Sequence, residues 1–93
     1  MERFLVVIEK AANNYSAYLP DLPGCVSTGN TIDETMQNIK ESLAFHLEGL
    51  AEEGINLSPS VPLEKHLRNG DIILEDDVII AFIHIPVPKE LMI

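Results

Sequence analysis

Basic residues are scarce in this sequence. Lys and Arg number 6 against 15 Asp and Glu, which gives a formal net charge of −9 at pH 7. Nucleic-acid binding draws much of its affinity from basic side chains on phosphates, so we expect no direct nucleic-acid binding by this chain. An acidic surface favours a basic protein partner, but the same charge also keeps a small protein in solution, and composition leaves both readings open.

Cysteine and long apolar runs are scarce as well. The single cysteine, Cys25, cannot form an intramolecular disulfide, which favours a reducing, cytoplasmic setting. The longest apolar runs, FLVVI and VIIAFI, are too short to cross a bilayer, so no membrane association is expected. The first residues also lack the apolar length and cleavage site of a signal peptide. We expect residues 1–93 to form a single domain with one modest core.

Four short stretches have the pattern of β-strands. Residues 4–8 and most of residues 78–87 are apolar without alternation, which is typical of strands buried on both faces. Residues 15–19 are predicted to return from a hairpin, and a short β-prone stretch follows at residues 25–28. Between these two, PDLPG predicts a turn, because proline cannot donate to a strand ladder and glycine adopts unusual backbone angles.

One long amphipathic helix follows the third strand. Thr31 and Glu34 match a capping box at its start, and Gly54 is placed to end it. Apolar residues recur between them in steps of three and four: Ile32, Met36, Ile39, Leu43, Leu47 and Leu50. Residues 55–77 then form a linker, in which LEKHL allows a short helical turn.

This order of elements, β-β-β-α-β, predicts an α+β fold with one long helix on one face of a sheet of order 3-2-1-4. A right-handed crossover through the helix is expected to return the last strand parallel to the first. One helix covers only one face of a sheet, although the first and last strands are apolar on both. We therefore expect the linker to cover part of the second face, and a second copy or another protein to cover the rest.

Cys25 and the three histidines show no pattern of a nucleophilic or metal-binding site. No histidine lies in a local pattern with Cys25, so we expect a small, partly buried strand residue rather than a nucleophile. His46, His66 and His84 show no zinc-type spacing, so no metal or cofactor site is expected.

Carboxylates are plentiful, and Glu9, Asp21 and Glu34 are the candidates for a residual metal-dependent nuclease. A two-metal site on such a sheet would require an Asp in the middle of the first strand, where the sequence reads LVVI. We therefore expect no catalytic residues and no enzymatic activity.

The stretch LPDLPGC, residues 19–25, is a rigid turn that we expect to expose Leu19 and Leu22. Rigid apolar turns lose little entropy on binding, so this turn is a candidate recognition edge. A plain connector between strands fits the same residues.

Residues 15–48, YSAYLPDLPGCVSTGNTIDETMQNIKESLAFHLE, resemble the HicB-like family, the antitoxins of HicA–HicB toxin–antitoxin pairs. The similarity lies in an aromatic strand, a PDLPGC turn, a G-x-T step into the helix and a helix with an apolar stripe. The residues that carry it are Tyr15, Tyr18, Pro20 to Cys25, Gly29, Thr31, Glu34, Met36, Ile39 and Leu43. The first and last strands fit the family too.

The resemblance implies a reduced ribonuclease-H-like fold that has lost its catalytic residues. It also implies a binding protein that neutralises a small basic mRNA-cleaving ribonuclease toxin of HicA type by covering its active site. The apolar surface that one helix leaves uncovered leads us to expect a homo-oligomer, and the single cysteine leads us to expect a cytoplasmic location. We expect the partner-binding residues to include Tyr18, Asp21, Leu22, Pro23, Cys25 and Glu34.

Many members of that family add a C-terminal segment that binds operator DNA. Only PKELMI follows Val87, so we expect a short form without this segment, for which operon autorepression is an open question. The alternative is an orphan HicB-like oligomeric module with another ligand.

Overall fold

A computed structural model describes residues 2–55 and 61–86 of the chain. Within them the elements are β1 (Glu2–Lys10), β2 (Tyr15–Tyr18), β3 (Val26–Gly29), α1 (Ile32–Glu53), α2 (Leu63–Asn69) and β4 (Val78–Ile85). The strands form one sheet of order β3-β2-β1-β4, which confirms the predicted α+β class and strand order. The short helical turn predicted in the linker is α2. The predicted end of the last strand at Val87 lies outside the described residues.

The direction of β4 differs from the prediction. β4 runs antiparallel to β1, with Glu2 opposite Ile85 and Glu9 opposite Val78, so the predicted parallel return is wrong. A crossover through one helix would have returned the chain parallel to β1. Here α2 carries the chain back across the second face of the sheet, so that β4 starts beside the end of β1.

The first face of the sheet packs against α1. The helix contributes Ile39, Leu43 and Leu47 to this core, as its apolar spacing predicts, whereas Ile32 in its first turn is exposed. The other buried residues of this core are Phe4, Val6, Ile8, Ala17, Leu19, Leu22, Cys25, Ile83 and Ile85. Burial of this apolar surface is the main source of the fold's stability.

The second face is covered by α2 and the residue segment after it. Leu63 and Leu67 of α2, together with Ile72, contact β1 at Leu5 and Val7. The half-buried residues packed around them are Tyr18, Val78 and Ile80. The linker thus covers part of this face, as predicted, while Phe82, further along β4, is 43% exposed.

The start of α1 shows half of the predicted capping box. Thr31 is the N-cap, and its side-chain oxygen accepts a hydrogen bond from the Glu34 N–H at 3.0 Å. The Glu34 carboxylate accepts instead from the N–H of Asn30, at 3.4 Å. At the other end, Gly54 has a φ of 70° and donates its N–H to the last turn, which confirms the predicted C-cap.

We expect Thr31→Ala to lower the free energy of unfolding by about 1 kcal/mol, because the Glu34 N–H loses its side-chain acceptor. Thr31→Ser is the matched control, because it keeps the hydroxyl and should lie within about 0.5 kcal/mol of the parent chain. Urea unfolding followed by circular dichroism measures both. Equal midpoints for the alanine variant and the parent would contradict this role.

Candidate protein-binding surface

The turn from Leu19 to Cys25 is held by its own backbone. The Leu22 N–H donates to the Leu19 carbonyl at 3.0 Å, and the Cys25 N–H donates to the Leu22 carbonyl at 3.1 Å. The Leu19 N–H donates to the Cys25 carbonyl at 3.3 Å and closes the loop. Gly24 adopts a φ of +93°, a left-handed conformation that favours glycine. The turn is therefore rigid, as its composition predicts.

The apolar side chains of this turn point inward. Leu19 and Leu22 are 2% and 8% exposed and belong to the core under α1, so the prediction that the turn exposes them is wrong. The prolines and the glycine bend the backbone, and the leucines gain more by packing against the core than by facing water. Pro23 is the member of the turn's predicted binding residues that faces solvent.

Cys25 lies directly before β3 and is fully buried, rather than partly buried within a strand as predicted. Its Sγ lies 3.7 Å from the Ser42 Oγ. Burial raises the pKa of the Cys25 thiol, and the hydrogen bond with Ser42 opposes this only in part. The thiol is thus protonated and enclosed, which agrees with a structural role for this residue.

A buried histidine joins the turn to α2. The His66 Nε2 lies 2.9 Å from the Asp21 Oδ1, and its Nδ1 lies 2.9 Å from the Asp71 Oδ2. The Asp21 Oδ1 also accepts the Val61 N–H at 3.0 Å. Asp21 therefore connects the turn to the segment just before α2, through Val61, and to the buried face of α2, through His66.

The environment of His66 favours its charged form. Burial alone lowers the pKa of this imidazole, but hydrogen bonds with Asp71 and Asp21, and their negative charges, outweigh it and raise the pKa above 6.5. The protonated ring donates one hydrogen bond to each carboxylate. His66 is 3% exposed, so the three side chains form a mostly buried ionic cluster.

Sequence reasoning missed this cluster. Asp21 and His66 are 45 residues apart, so no local motif connects them. The one available signal was a histidine on the apolar side of LEKHL, followed five residues later by Asp71.

Tyr18 and Glu34 lie at the edges of this region. The half-buried Tyr18 donates its hydroxyl to the Asp71 carbonyl at 3.4 Å. Burial raises the pKa of Tyr18, and the negative charges of Glu9 and Asp71 raise it further. Glu34 is exposed in the first turn of α1.

The structure thus separates the six predicted binding residues into two groups. Leu22, Cys25 and the Asp21 carboxylate are enclosed, and they hold the turn in shape. Pro23 and Glu34 are exposed and Tyr18 is partly so, which leaves these three accessible to a partner. Their part in binding stays a prediction.

Asp21 was also a candidate ligand for a residual nuclease metal. Its carboxylate is 7% exposed and already bonded to His66 and Val61. Among the described residues, no group of three or more His, Cys, Asp or Glu side chains is arranged to hold a metal ion. Likewise, no helix in residues 2–55 and 61–86 is long and apolar enough to span a bilayer.

The four-stranded sheet of order β3-β2-β1-β4, with α1 packed on one face and α2 on the other, places the chain among small α+β proteins. The family model described as a HicB-like antitoxin of bacterial toxin–antitoxin systems matches residues 4–90. The chain belongs to this family.

Similar proteins include sequences of several microbes and a phage. An uncharacterised 14.9 kDa protein from the rep-hol intergenic region of Haemophilus phage HP1 is 42% identical over 71% of this chain and 50% of its own length. A UPF0150 protein of Helicobacter pylori is 48% identical over 47% of this chain and 61% of its own. The chain therefore spans only about half to two thirds of these relatives.

Solved structures show the same fold. A chain of the "HicA3 and HicB3 toxin-antitoxin complex" has a TM-score of 0.70 and 29% identity, and the match covers 91% of this chain and 99% of that one. The antitoxin HicB3 crystal structure has a TM-score of 0.74 and 29% identity, and the match covers 95% of this chain and 65% of that one. The N-terminal domain of the Burkholderia pseudomallei antitoxin HicB has a TM-score of 0.72, over 92% of this chain and 100% of that one. Because its identity is 24%, this match supports the fold alone.

Proposed function

We propose that this chain binds a small, basic, mRNA-cleaving ribonuclease of HicA type and neutralises it by covering its active site. The observation that supports this most is the match to a chain of the HicA3 and HicB3 complex over 91% of the present chain. Membership of the HicB-like antitoxins points the same way. In this proposal the chain acts by binding and performs no catalysis.

The charge of the chain suits a basic partner. The net charge of −9 includes exposed carboxylates along α1, among them Asp33, Glu41 and Glu48. Opposite charges on two proteins speed their encounter and orient them before contact. We therefore propose that association is fast at low ionic strength and slows as salt screens the charges.

The proposed contact surface is the turn at residues 19–25 together with the first turn of α1. Pro23 and Glu34 are among its exposed members, and Tyr18 lies beside it. The turn is held by three backbone hydrogen bonds and by the Asp21–His66 contact. A surface that is already rigid loses little conformational entropy on binding, which favours affinity.

The proposal includes a cytoplasmic setting, in which Cys25 stays a free thiol, and self-association of the chain. Exposed apolar residues on the sheet support the latter, above all Ile79 and Phe82 of β4.

The binding proposal is tested with a small basic protein of HicA type, taken from any short basic reading frame that proves to adjoin the gene. Co-expression should restore growth of cells that the basic protein arrests, and the purified proteins should co-elute and stop RNA cleavage at a fixed ratio. Glu34→Lys should weaken the complex by about 10-fold or more, because it places a positive charge against a basic partner.

Glu53→Lys is the matched control. It makes the same charge change on an exposed residue in the last turn of α1, at the opposite end of the helix from Glu34, so it measures the effect of total charge alone. We expect at most about a 3-fold change in affinity, since an exposed charge away from the contact acts only through the screened field. Failure of the parent chain to bind the basic protein would refute the toxin partner and favour another ligand. Equal weakening by both variants would refute the surface but not the partner.

A further inference from the structure

The outward side of α1 carries an exposed aromatic residue. Phe45 is 79% exposed, the highest value for a large apolar residue in the part of the chain that the structure describes. It is two residues from both Leu43 and Leu47, which are buried, so it points away from the sheet. Phe45 therefore belongs to neither core, and the fold itself gives no reason for an aromatic residue at this position.

A hollow lies beside Phe45, between α1 and the end of β4. It has a volume of about 310 Å³. Ala44 and Leu47 line the hollow from the helix, and Ile85 and Pro86 line it from the other side. Because Ala44 is next to Phe45 in the chain, the exposed ring and the hollow adjoin on the same stretch of α1. An exposed apolar surface with a polar rim is typical of a site where another protein binds.

The rim of this surface is mainly acidic. Glu41 and Glu48 are exposed and lie one turn before and one turn after Phe45. Glu34 continues the same line toward the start of the helix and belongs to the contact surface proposed above. Lys40 is the basic residue at the rim of the hollow. Along its whole length α1 has six acidic residues against this one lysine.

The other basic residues that the structure describes lie away from the hollow. Lys65 and Arg68 belong to α2 on the second face of the sheet, and Arg3 lies over an aromatic ring on that face. Lys10 ends β1, whereas the start of β1 is the part that pairs with Ile85 at the hollow. The charge around Phe45 therefore comes mainly from carboxylates.

We propose that Phe45 is the apolar anchor of the contact with the basic partner protein, and that the hollow beside it takes a lysine or arginine side chain of that partner. This inference rests on the proposed function and extends its contact surface from Glu34 along α1. A long basic side chain buries its aliphatic stem in an apolar hollow while its charged end reaches Glu48 at the rim. Aromatic residues are enriched in the buried centres of protein interfaces, which suits the Phe45 ring.

A second copy of this chain fits the same surface poorly. Two α1 helices that met through Phe45 would bring Glu41 and Glu48 of one copy near the same residues of the other. Like charges brought together repel, whereas a basic protein meets these carboxylates with the opposite charge. The proposed self-association is therefore assigned to a different surface.

Isothermal titration calorimetry with the basic protein of HicA type tests this contact. Phe45→Ala should raise the dissociation constant of the complex by about 30-fold or more, because the interface loses its apolar anchor. Since Phe45 is exposed and alanine favours a helix, the variant should unfold at no lower urea concentration than the parent chain. Ala44→Gln should raise the dissociation constant by about 10-fold, because its longer side chain extends over the hollow.

Ile73→Ala is the matched control. Ile73 is also an exposed apolar residue, at 69%, but it follows α2 and lies next to Ile72, which packs against the second face. Neither this substitution nor Phe45→Ala changes the charge of the chain. We expect Ile73→Ala to change the dissociation constant by at most about 2-fold.

A direct readout of burial is available because the chain contains no tryptophan. Phe45→Trp places one indole on the outward side of α1. Its fluorescence emission should move to shorter wavelength when the basic protein covers it, after subtraction of the spectrum of the parent mixture. Ile73→Trp should show no such shift, and the emission of Phe45→Trp alone should not change with its concentration.

The outcomes separate this contact from the proposed function. A parent chain that does not bind the basic protein would overturn both. If the parent chain binds, but Phe45→Ala binds equally well and Phe45→Trp shows no shift, the contact is wrong while the proposed function stands. Unchanged binding by Ala44→Gln would remove the hollow from the contact. A shift that grows with the concentration of Phe45→Trp alone would show that a second copy covers this residue, which also overturns the proposal.

Discussion

Replacing His66 with alanine is expected to lower the free energy of unfolding by about 3–5 kcal/mol. The substitution removes the partner of the Asp21 carboxylate, which is 7% exposed and would remain buried with its charge unmatched. The free energy of unfolding of a small domain is about 5–15 kcal/mol, so this loss is a large part of the stability. Chemical unfolding followed by circular dichroism measures it.

Two further variants separate the ion pair from general packing. Asp71→Asn should cost at most about 1 kcal/mol, because the Asp71 carboxylate is 49% exposed and water replaces much of its interaction with His66. His66→Gln keeps an amide donor that can reach Asp21. It should therefore lower the free energy of unfolding by about half as much as His66→Ala, or less. If His66→Ala proved as stable as Asp71→Asn, the cluster would contribute little to the fold.

The same cluster makes stability depend on pH. The folded-state pKa of His66 is raised above 6.5, so its stabilising effect is fully present below pH 6.5 and is lost as pH rises through the folded-state pKa. The parent chain should therefore exceed His66→Gln in stability by more at about pH 6 than at about pH 8.5. A difference between the two that does not change over this range would contradict a charged His66 in the folded state.

Gly29→Ala is expected to destabilise the chain by about 3 kcal/mol, near the upper end for overpacking. A Cβ at Gly29 would lie 2.6 Å from both the backbone N and the Oγ1 of Thr35, and 2.9 Å from its Cα. Thr35 is fully buried, and its Oγ1 donates to the Thr31 carbonyl at 2.7 Å. The end of β3 would have to move away from the first turn of α1, which a shifted urea midpoint would reveal.

Gly49→Ala is the control for this prediction. Nothing lies within 4 Å of a Cβ built at Gly49, which is inside α1. Alanine there should raise the free energy of unfolding by about 0.5–1 kcal/mol, because it restricts the unfolded chain and favours the helix. Effects of equal sign at the two glycines would contradict the close approach of β3 and α1.

Local patterns accounted for much of the framework. The apolar spacing of Ile39, Leu43 and Leu47 predicted the buried side of α1, and Thr31 and Gly54 marked its ends. These features depend on contacts between residues three or four apart, so they can be inferred from neighbours in the sequence.

Contacts between distant segments account for the errors. The direction of β4 depends on the path of α2 across the second face, which no residue of β4 itself encodes. The burial of Leu19 and Leu22 depends on where α1 packs, and the composition of the turn predicted only its rigidity. The Asp21–His66 contact joins residues 45 positions apart.

The amino-acid sequence by itself determined the element types, the acidic charge and the resemblance to HicB-like antitoxins, because each depends on composition or on short-range spacing. The strand order was predicted correctly from the order of the elements, although the predicted direction of β4 was wrong. The tertiary structure decided which side chains are available to a partner. It encloses Leu22 and Cys25, joins Asp21 to His66 and leaves Phe45 exposed on α1, because these outcomes depend on how separate segments pack against one another.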